Sequence, residues 1–403
     1  MREFDLIVFG ATGYTGRLVA AALLEFPEEG LKWAIAGRSI EKLESVRTDL
    51  AERFPVAANL PLVQADVNQA HSMRAMAQRT RVICTTVGPY SSLGDAVVDA
   101  CLEEETHCCD LTGEVSWMRK NIDAHHDTAQ AKQIRIVHAA GFDSIPFDIG
   151  VAALQKEAVA RWGKPALSVR TATRSLKGGF SGGTIASMAL LFDSIRRDRA
   201  ILRLMANPYA LVPGETGPDR NDSRAVEYWP EHRMWTTPFI MAGCNTRVVR
   251  RSHALLGYPW GKDFSYVEAM GTGRGFRGWF RAQLMRGLLG LLVSVMAVPW
   301  TRKLALGRVL PLPGEGPSEA DRNRGRFSAR VVGSRDGIEL AVDVIGEGDP
   351  GYLATSRMLA QTAAALAKDD LPAQYGVLTP GGFMADALLA RLPRVGIRFE
   401  VVA

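Results

Sequence analysis

The chain has 403 residues, 47% hydrophobic and 23% charged, with a formal net charge of +5. That length exceeds one ordinary core and predicts more than one domain. The composition excludes a disordered chain, and the mild positive charge, with no long Lys/Arg block, excludes a dedicated nucleic-acid binder. It suits phosphorylated ligands, acyl-carrier proteins or an anionic membrane surface. Five cysteines, Cys108 and Cys109 adjacent among them, form neither a disulfide framework nor metal-ligand spacing, and the chain opens directly into an apolar run. No metal and a reducing, cytoplasmic compartment are therefore expected.

The opening run, Phe4 to Phe9, suits a buried parallel strand, and Gly10, Gly13 and Gly16 follow it at spacing three. An amphipathic run, Arg17 to Phe26, comes next. In such a strand–helix turn the first glycine permits the tight bend, the second lets backbone approach a pyrophosphate, and the third allows close helix–strand packing. Gly10, Thr12, Gly13, Tyr14, Thr15 and Gly16 thus read as a dinucleotide cradle, with a purely structural turn as the alternative.

The second strand, Lys32 to Ala36, ends in Gly37-Arg38-Ser39. An acid there would bind a ribose 2′-hydroxyl, whereas Arg38 beside Ser39 suits a 2′-phosphate, so NADP is expected rather than NAD; a plain surface arginine is the alternative. A helix, Ile40 to Arg53, leads to a third strand ending near Asp66, placed by the adenine. Arg81 to Thr86 reads as the fourth strand, and the loop after it, Val87-Gly88-Pro89-Tyr90, is expected on the nicotinamide side. The rhythm continues through strands at His107 to Leu111 and Arg135 to Ala139. Six strands with intervening helices predict an N-terminal Rossmann domain, an α/β doubly wound parallel sheet, over residues 1–150.

Beyond Gly150 the rhythm breaks. Ala166 to Ser175 alternates like a strand, and Ser181-Gly182-Gly183-Thr184 opens a long helix, Ile185 to Met205, whose start suits either an anionic or carbonyl group or a loop packed beneath a sheet. Asn207 to Pro230 reads as irregular surface, and strand-like pieces follow at Arg247 to Arg250, Phe264 to Met270, Phe327 to Val332 and Ile338 to Ile345. A second, α+β domain with a mixed or antiparallel sheet is predicted over residues 151–345, for substrate binding or homodimer formation. Within it, Arg274, Arg277, Arg281 and Arg286 precede the uncharged stretch Gly287 to Thr301, with Arg302 and Lys303 just after. The stretch is short for a spanning helix. A buried helix, or one that meets lipid or a long acyl chain, are the other readings. Residues 346–403 are predicted as a helical section able to return to the Rossmann domain, with Thr379-Pro380 capping a helix start.

From end to end the chain resembles the saccharopine dehydrogenase-like oxidoreductases, and within them the trans-acting enoyl reductases. The residues that carry the resemblance are Gly10 to Gly16, Ala36 to Ser39, Thr85 to Tyr90, Asp110 to Glu114, Gly141 to Asp148, Ser181 to Thr184, Asn245 to Arg247 and Leu378 to Pro380. The resemblance implies reduction of a carbon–carbon double bond in a polyketide or fatty-acyl chain carried on a synthase or carrier protein, in lipid or glycolipid assembly. It does not imply saccharopine chemistry. It also suits a cytoplasmic enzyme peripheral to the inner face of the plasma membrane. Enoyl reduction needs a hydride at the β-carbon, a proton at the α-carbon and stabilisation of charge on the thioester oxygen. Tyr90, Asp143 and Ser144 are the catalytic candidates, with His138 and Glu114 nearby in sequence to the same strand ends. Each has a plain reading: Tyr90 stacking on nicotinamide, Asp143 and Ser144 capping a helix, His138 a satisfied core residue. A non-catalytic, cofactor-holding scaffold at a lipid surface is the competing function.

Overall fold

The computed structural model describes residues 2–178, 182–220, 222–305 and 316–402. Its first half alternates strand and helix: β1 (Phe4–Phe9), α1 (Tyr14–Glu25), β2 (Trp33–Gly37), α2 (Ile40–Arg53), β3 (Leu62–Gln64), α3 (Ala70–Gln78), β4 (Thr80–Thr85), the short α4 (Tyr90–Leu93), α5 (Asp95–Glu103), β5 (His107–Asp110), α6 (Val115–Ala131) and β6 (Arg135–Val137). The helix α7 (Ile145–Trp162) then leads out of the sheet. Successive strand residues enter opposite cores because side chains alternate across a sheet. Leu6, Val8, Val82, Cys84 and Cys109 join one core, and Ile7, Phe9, Ile83 and Cys108 the other. The neighbouring cysteines are therefore both buried, on opposite faces.

The second half supplies β7 (Ser168–Lys177), α8 (Gly182–Arg197), α9 (Arg199–Ala206), β8 (Glu227–Trp229), β9 (Met234–Thr237), α10 (Ala242–Leu255), β10 (Ser265–Gly273), α11 (Gly275–Ala297), α12 (Pro299–Ala305), α13 (Glu319–Arg324), β11 (Arg326–Arg335), β12 (Ile338–Glu347), α14 (Thr355–Lys368), β13 (Gly376–Leu378), α15 (Ala385–Arg391) and β14 (Ile397–Val402). Two seven-stranded sheets result, ordered β13-β6-β5-β4-β1-β2-β3 and β14-β12-β11-β7-β10-β9-β8. The first is parallel throughout. The second is mixed: β7 and β10 run parallel and the remaining pairs antiparallel.

β13 is added beyond β6 by chain that has already visited the second sheet, and α14 packs against α1, β4 and β5. Two neutral histidines hold this edge. His107 Nδ1 accepts from Arg135 N at 3.1 Å, and His126 Nδ1 accepts from Val377 N at 3.1 Å. Burial lowers both imidazoles, His107 to about 4, so each keeps the lone pair that the strand amide needs.

Four sequence expectations are corrected. Arg247 to Arg250 is not a strand but the middle of α10, where Arg247 and Arg250 are buried. Their charges are met by Asp222 and Asp219 from the irregular 207–230 segment, so that segment is partly a buried counter-ion loop rather than plain surface. The long helix Ile185 to Met205 breaks at Asp198, whose side chain accepts from Ala200 N and starts α9 anew. Thr379 makes no side-chain cap; Pro380–Gly382 is a single 3-10 turn, and α15 begins at Ala385. The start of the Ser181–Thr184 motif lies outside the described residues.

Candidate active-site cleft

A cavity of about 520 Å³ opens beyond the carboxyl ends of β1, β4 and β5, where a parallel sheet leaves a crevice. One end is the glycine turn. Gly10 has φ +90°, and a Cβ there would lie 2.7 Å from Thr86 Oγ1 and 2.9 Å from Val87; a Cβ on Gly16 would meet the Gly10 carbonyl. Only glycine fits the turn. α1 starts at Gly13 with no capping side chain and no acid in its first turn, so its first N–H groups and positive dipole end are available to a pyrophosphate. Gly13, Tyr14, Thr15, Gly16, Gly88 and Pro89 line the cavity. Thr12 instead packs against Gly37, where a Cβ would come within 3.3 Å of its methyl. The Tyr14 hydroxyl donates to Pro317 O at 2.5 Å and is held by Arg322, so its ring forms wall while its polar end is engaged elsewhere.

Arg38 is exposed at the end of β2 and forms no ion pair among the described residues, which leaves its guanidinium available to a 2′-phosphate. Ser39 Oγ accepts from Lys42 N at 3.3 Å and donates to Glu41 Oε2 at 2.7 Å, so it caps α2. Asp66 accepts from Asn68 N at 3.0 Å in an Asx turn just past β3, shaping the loop on the adenine side. These residues fit NADP(H): a side-chain-free cradle, an open helix start and a free cation beyond the second strand.

At the other end, Glu114 joins the two halves of the molecule. Its Oε1 accepts from Tyr90 N at 3.0 Å and from Ser187 Oγ on α8 at 2.8 Å, and its Oε2 accepts from Ser91 N at 2.9 Å. The loop after β4 is thereby tied to α8. Tyr90 donates its hydroxyl to Thr85 O at 3.2 Å and stacks on Trp117 with ring centroids 5.4 Å apart. Burial is the main cause that raises its phenol well above 10. Ser144 is buried against Cys244, Oγ to Sγ 4.0 Å, and makes no cap bond to α7. Desolvation pushes the Cys244 thiol up to about 12, so it carries no thiolate at neutral pH.

Asp143 differs from both. Its carboxyl lies on the cavity wall beside Gly113, where a Cβ would come within 3.1 Å of Oδ2, and it has no hydrogen bond or ion pair among the described residues. Enclosure by protein raises it to about 7. His138 stands behind this wall: Nδ1 meets Asp110 Oδ2 at 2.7 Å, its ring lies 4.8 Å from Trp117, and its buried Nε2 has no partner among the described residues. The same cavity is lined by the apolar side chains of Met188, Leu191 and Phe192 of α8, Met205 of α9, Ile240 just before α10, and Val293 of α11. Of these, only Val293 fell in a stretch the sequence marked for acyl-chain or lipid contact; the others come together from helices that meet only in the folded chain.

Comparison with known proteins agrees with this arrangement. Residues 6–137 match the family model of the saccharopine dehydrogenase NADP binding domain. A Mycobacterium tuberculosis protein named as a trans-acting enoyl reductase is 40% identical over 417 residues, covering 99% of this chain and 97% of the relative. The trans-acting enoyl reductase of Mycobacterium ulcerans is 35% identical over 409 residues, covering 98% and 97%. Among solved structures, apo saccharopine dehydrogenase (L-Glu forming) of Saccharomyces cerevisiae superposes with a TM-score of 0.53 at 12% identity, covering 99% of this chain and 100% of that one. This last likeness speaks for the fold alone.

Proposed function

This chain belongs to the trans-acting enoyl reductases of the saccharopine dehydrogenase-like oxidoreductases, with NADP(H) as cofactor, and we propose that it reduces the α,β double bond of an acyl or polyketide thioester held on a synthase or carrier protein during lipid or glycolipid assembly. The observation that carries the reading is Asp143: a carboxyl raised to about 7, with no hydrogen bond or ion pair among the described residues, on the wall of a cavity whose lining also holds apolar side chains. When bound, NADPH supplies the hydride that reaches the β-carbon. As the C–C π pair shifts toward the thioester carbonyl, protonated Asp143 gives its proton to the α-carbon and becomes a carboxylate. Enclosure makes a neutral carboxyl available near pH 7, which an exposed aspartate would not be.

Tyr90 and Ser144 act here by position. Tyr90 carries the loop after β4, with its hydroxyl on Thr85 O, and the Ser144 backbone N–H donates to Gly141 O in the turn that holds Asp143. Glu114 keeps that loop against α8, so the cofactor half and the chamber hold one spacing. The chamber's apolar side chains would take the acyl chain and keep water from the reacting carbons. A lipid setting fits the apolar stretch Gly287 to Thr301, which belongs to the outer part of α11 and to α12.

The test is NADPH absorbance with short and long α,β-unsaturated acyl thioesters. Steady oxidation is expected with the wild type, and Asp143→Asn should lower kcat by roughly 10²-fold or more while NADPH affinity holds, the usual range for loss of a general acid. An unchanged kcat in Asp143→Asn would remove the assignment.

A further inference from the structure

α11 presents an unusual surface. Phe276, Phe280, Leu284, Leu288 and Leu291 recur at helical spacing, and relative exposures of 75, 57, 53, 55 and 61% leave them in water. The face opposite carries the buried Gly278, Ala282 and Met296. Trp300 and Leu304 of α12, the helix that packs on α11, are exposed as well, at 71 and 53%. Apolar side chains of this size favour burial by roughly 1.5–3 kcal/mol each, so such a contiguous patch calls for a cover.

The charge around the patch selects the cover. From Arg274 to Ala305 there is no Asp or Glu. Arg274, Arg277, Arg281, Arg286 and Lys303 form no ion pair among the described residues, nor do Arg196, Arg197, Arg199 and Arg203 of the adjoining α8 and α9. A two-fold contact with another copy would set these cations against themselves, which disfavours a dimer seam. Anionic headgroups above an acyl layer satisfy both features at once.

α11, with 23 residues, is long and apolar enough to cross a membrane, but its fastenings to the rest of the protein favour a helix that lies along a surface. Thr272 Oγ1 donates to Gly278 O at 2.9 Å and Thr237 Oγ1 to Ala282 O at 3.1 Å, while Arg302 of α12 pairs with Asp193 of α8 at 2.8 Å. Both ends of the α11–α12 unit are thus fastened to protein, and Arg281 and Arg286 interrupt its apolar length.

We infer that α8, α9, α11 and α12 form a docking face for an anionic phospholipid bilayer, and that the acyl chamber opens through it. Val293 of α11 and Met188, Leu191 and Phe192 of α8 line the chamber, so the helices that meet lipid also wall the cavity. An acyl chain can pass from the bilayer to Asp143 without crossing water. That route rests on the reading of the chamber as an acyl-chain site; the docking face does not.

Flotation tests the face directly. Full-length protein is mixed with vesicles of phosphatidylcholine alone, or of equal parts phosphatidylcholine and phosphatidylglycerol. Two variants are compared: Phe280→Ser/Leu284→Ser/Leu291→Ser and Arg277→Glu/Arg281→Glu, all at exposed positions outside the cavity lining. Wild type should float with the anionic vesicles and release as salt rises. Each variant should lose roughly tenfold or more in partitioning while binding NADPH and reducing a short, soluble enoyl thioester as before. The inference is overturned if wild type stays with the soluble fraction, if both variants float like wild type, or if sedimentation shows a dimer that the triple serine variant dissociates. Flotation with no thioester reduction would contradict the enzymatic reading and leave the docking face standing.

Discussion

Asp143 carries a cost that its proposed role would use. Its carboxyl is raised from 3.8 to about 7 because the fold disfavours the ionised form, so its contribution to stability is full below about pH 4 and is lost as pH rises toward 7. The same shift keeps a proton at hand. If that proton goes to the α-carbon, kcat/KM should be flat at acid pH and fall above about 7 with one ionisation, a limb that Asp143→Asn should lack. At the other end of the cleft, Arg38→Ala should weaken NADPH by roughly 10- to 100-fold, the range for one charge-assisted hydrogen bond, and leave NADH unchanged in paired titrations. Equal loss for both cofactors would place Arg38 outside the 2′-phosphate contact. The glycine turn and the exposed place of Arg38 after β2 were legible in sequence because both are set within a few residues of a strand end. What separates Asp143 from Tyr90 and Ser144 was not legible. All three follow strands, and only the packing of α6, α7 and α10 around them leaves one carboxyl open to the cavity while the neighbouring hydroxyls are engaged or buried.

At the scale of elements, α10 shows where periodicity misleads. Arg247-Val248-Val249-Arg250 reads as a half-exposed strand, since arginines are rarely buried and valines favour sheets. In the fold both arginines are buried on a helix because aspartates from a distant, irregular loop neutralise them. Arg250 Nε donates to Asp219 Oδ2 at 2.6 Å, and Asp219 also accepts from Tyr266 N at 3.1 Å, which links α10, the loop and β10. Removing one partner strands a buried charge, so Asp219→Ala should cost about 3–5 kcal/mol and lower the thermal midpoint by several degrees in calorimetry. An unchanged midpoint would show that solvent reaches Arg250. The Asn245-Thr246-Arg247 motif belongs to the same framework: Asn245 donates to Glu268 at 2.8 Å and Thr246 to Asp222 at 3.0 Å. It supports the floor of the cleft and does not line the described cavity.

For the molecule as a whole, the parallel sheet could be read in chain order because each apolar strand is followed by a helix that must cover it. The second sheet could not, since β7 pairs with β10 and β11 across long stretches of sequence, and β14 with β12. The cleft arises where these two systems meet, with Glu114 of one half bonded to Ser187 of the other. The reaction proposed for this cleft moves a hydride to the β-carbon and a solvent-derived proton to the α-carbon of an enoyl thioester. The most direct measurement uses NADPH deuterated at both C4 positions, a trans-2-enoyl thioester and ordinary water, with the product read by mass spectrometry and NMR. One deuterium, on the β-carbon, and protium from solvent on the α-carbon are expected. Deuterium at the thioester carbonyl carbon, or no thioester-dependent oxidation of NADPH, would contradict it.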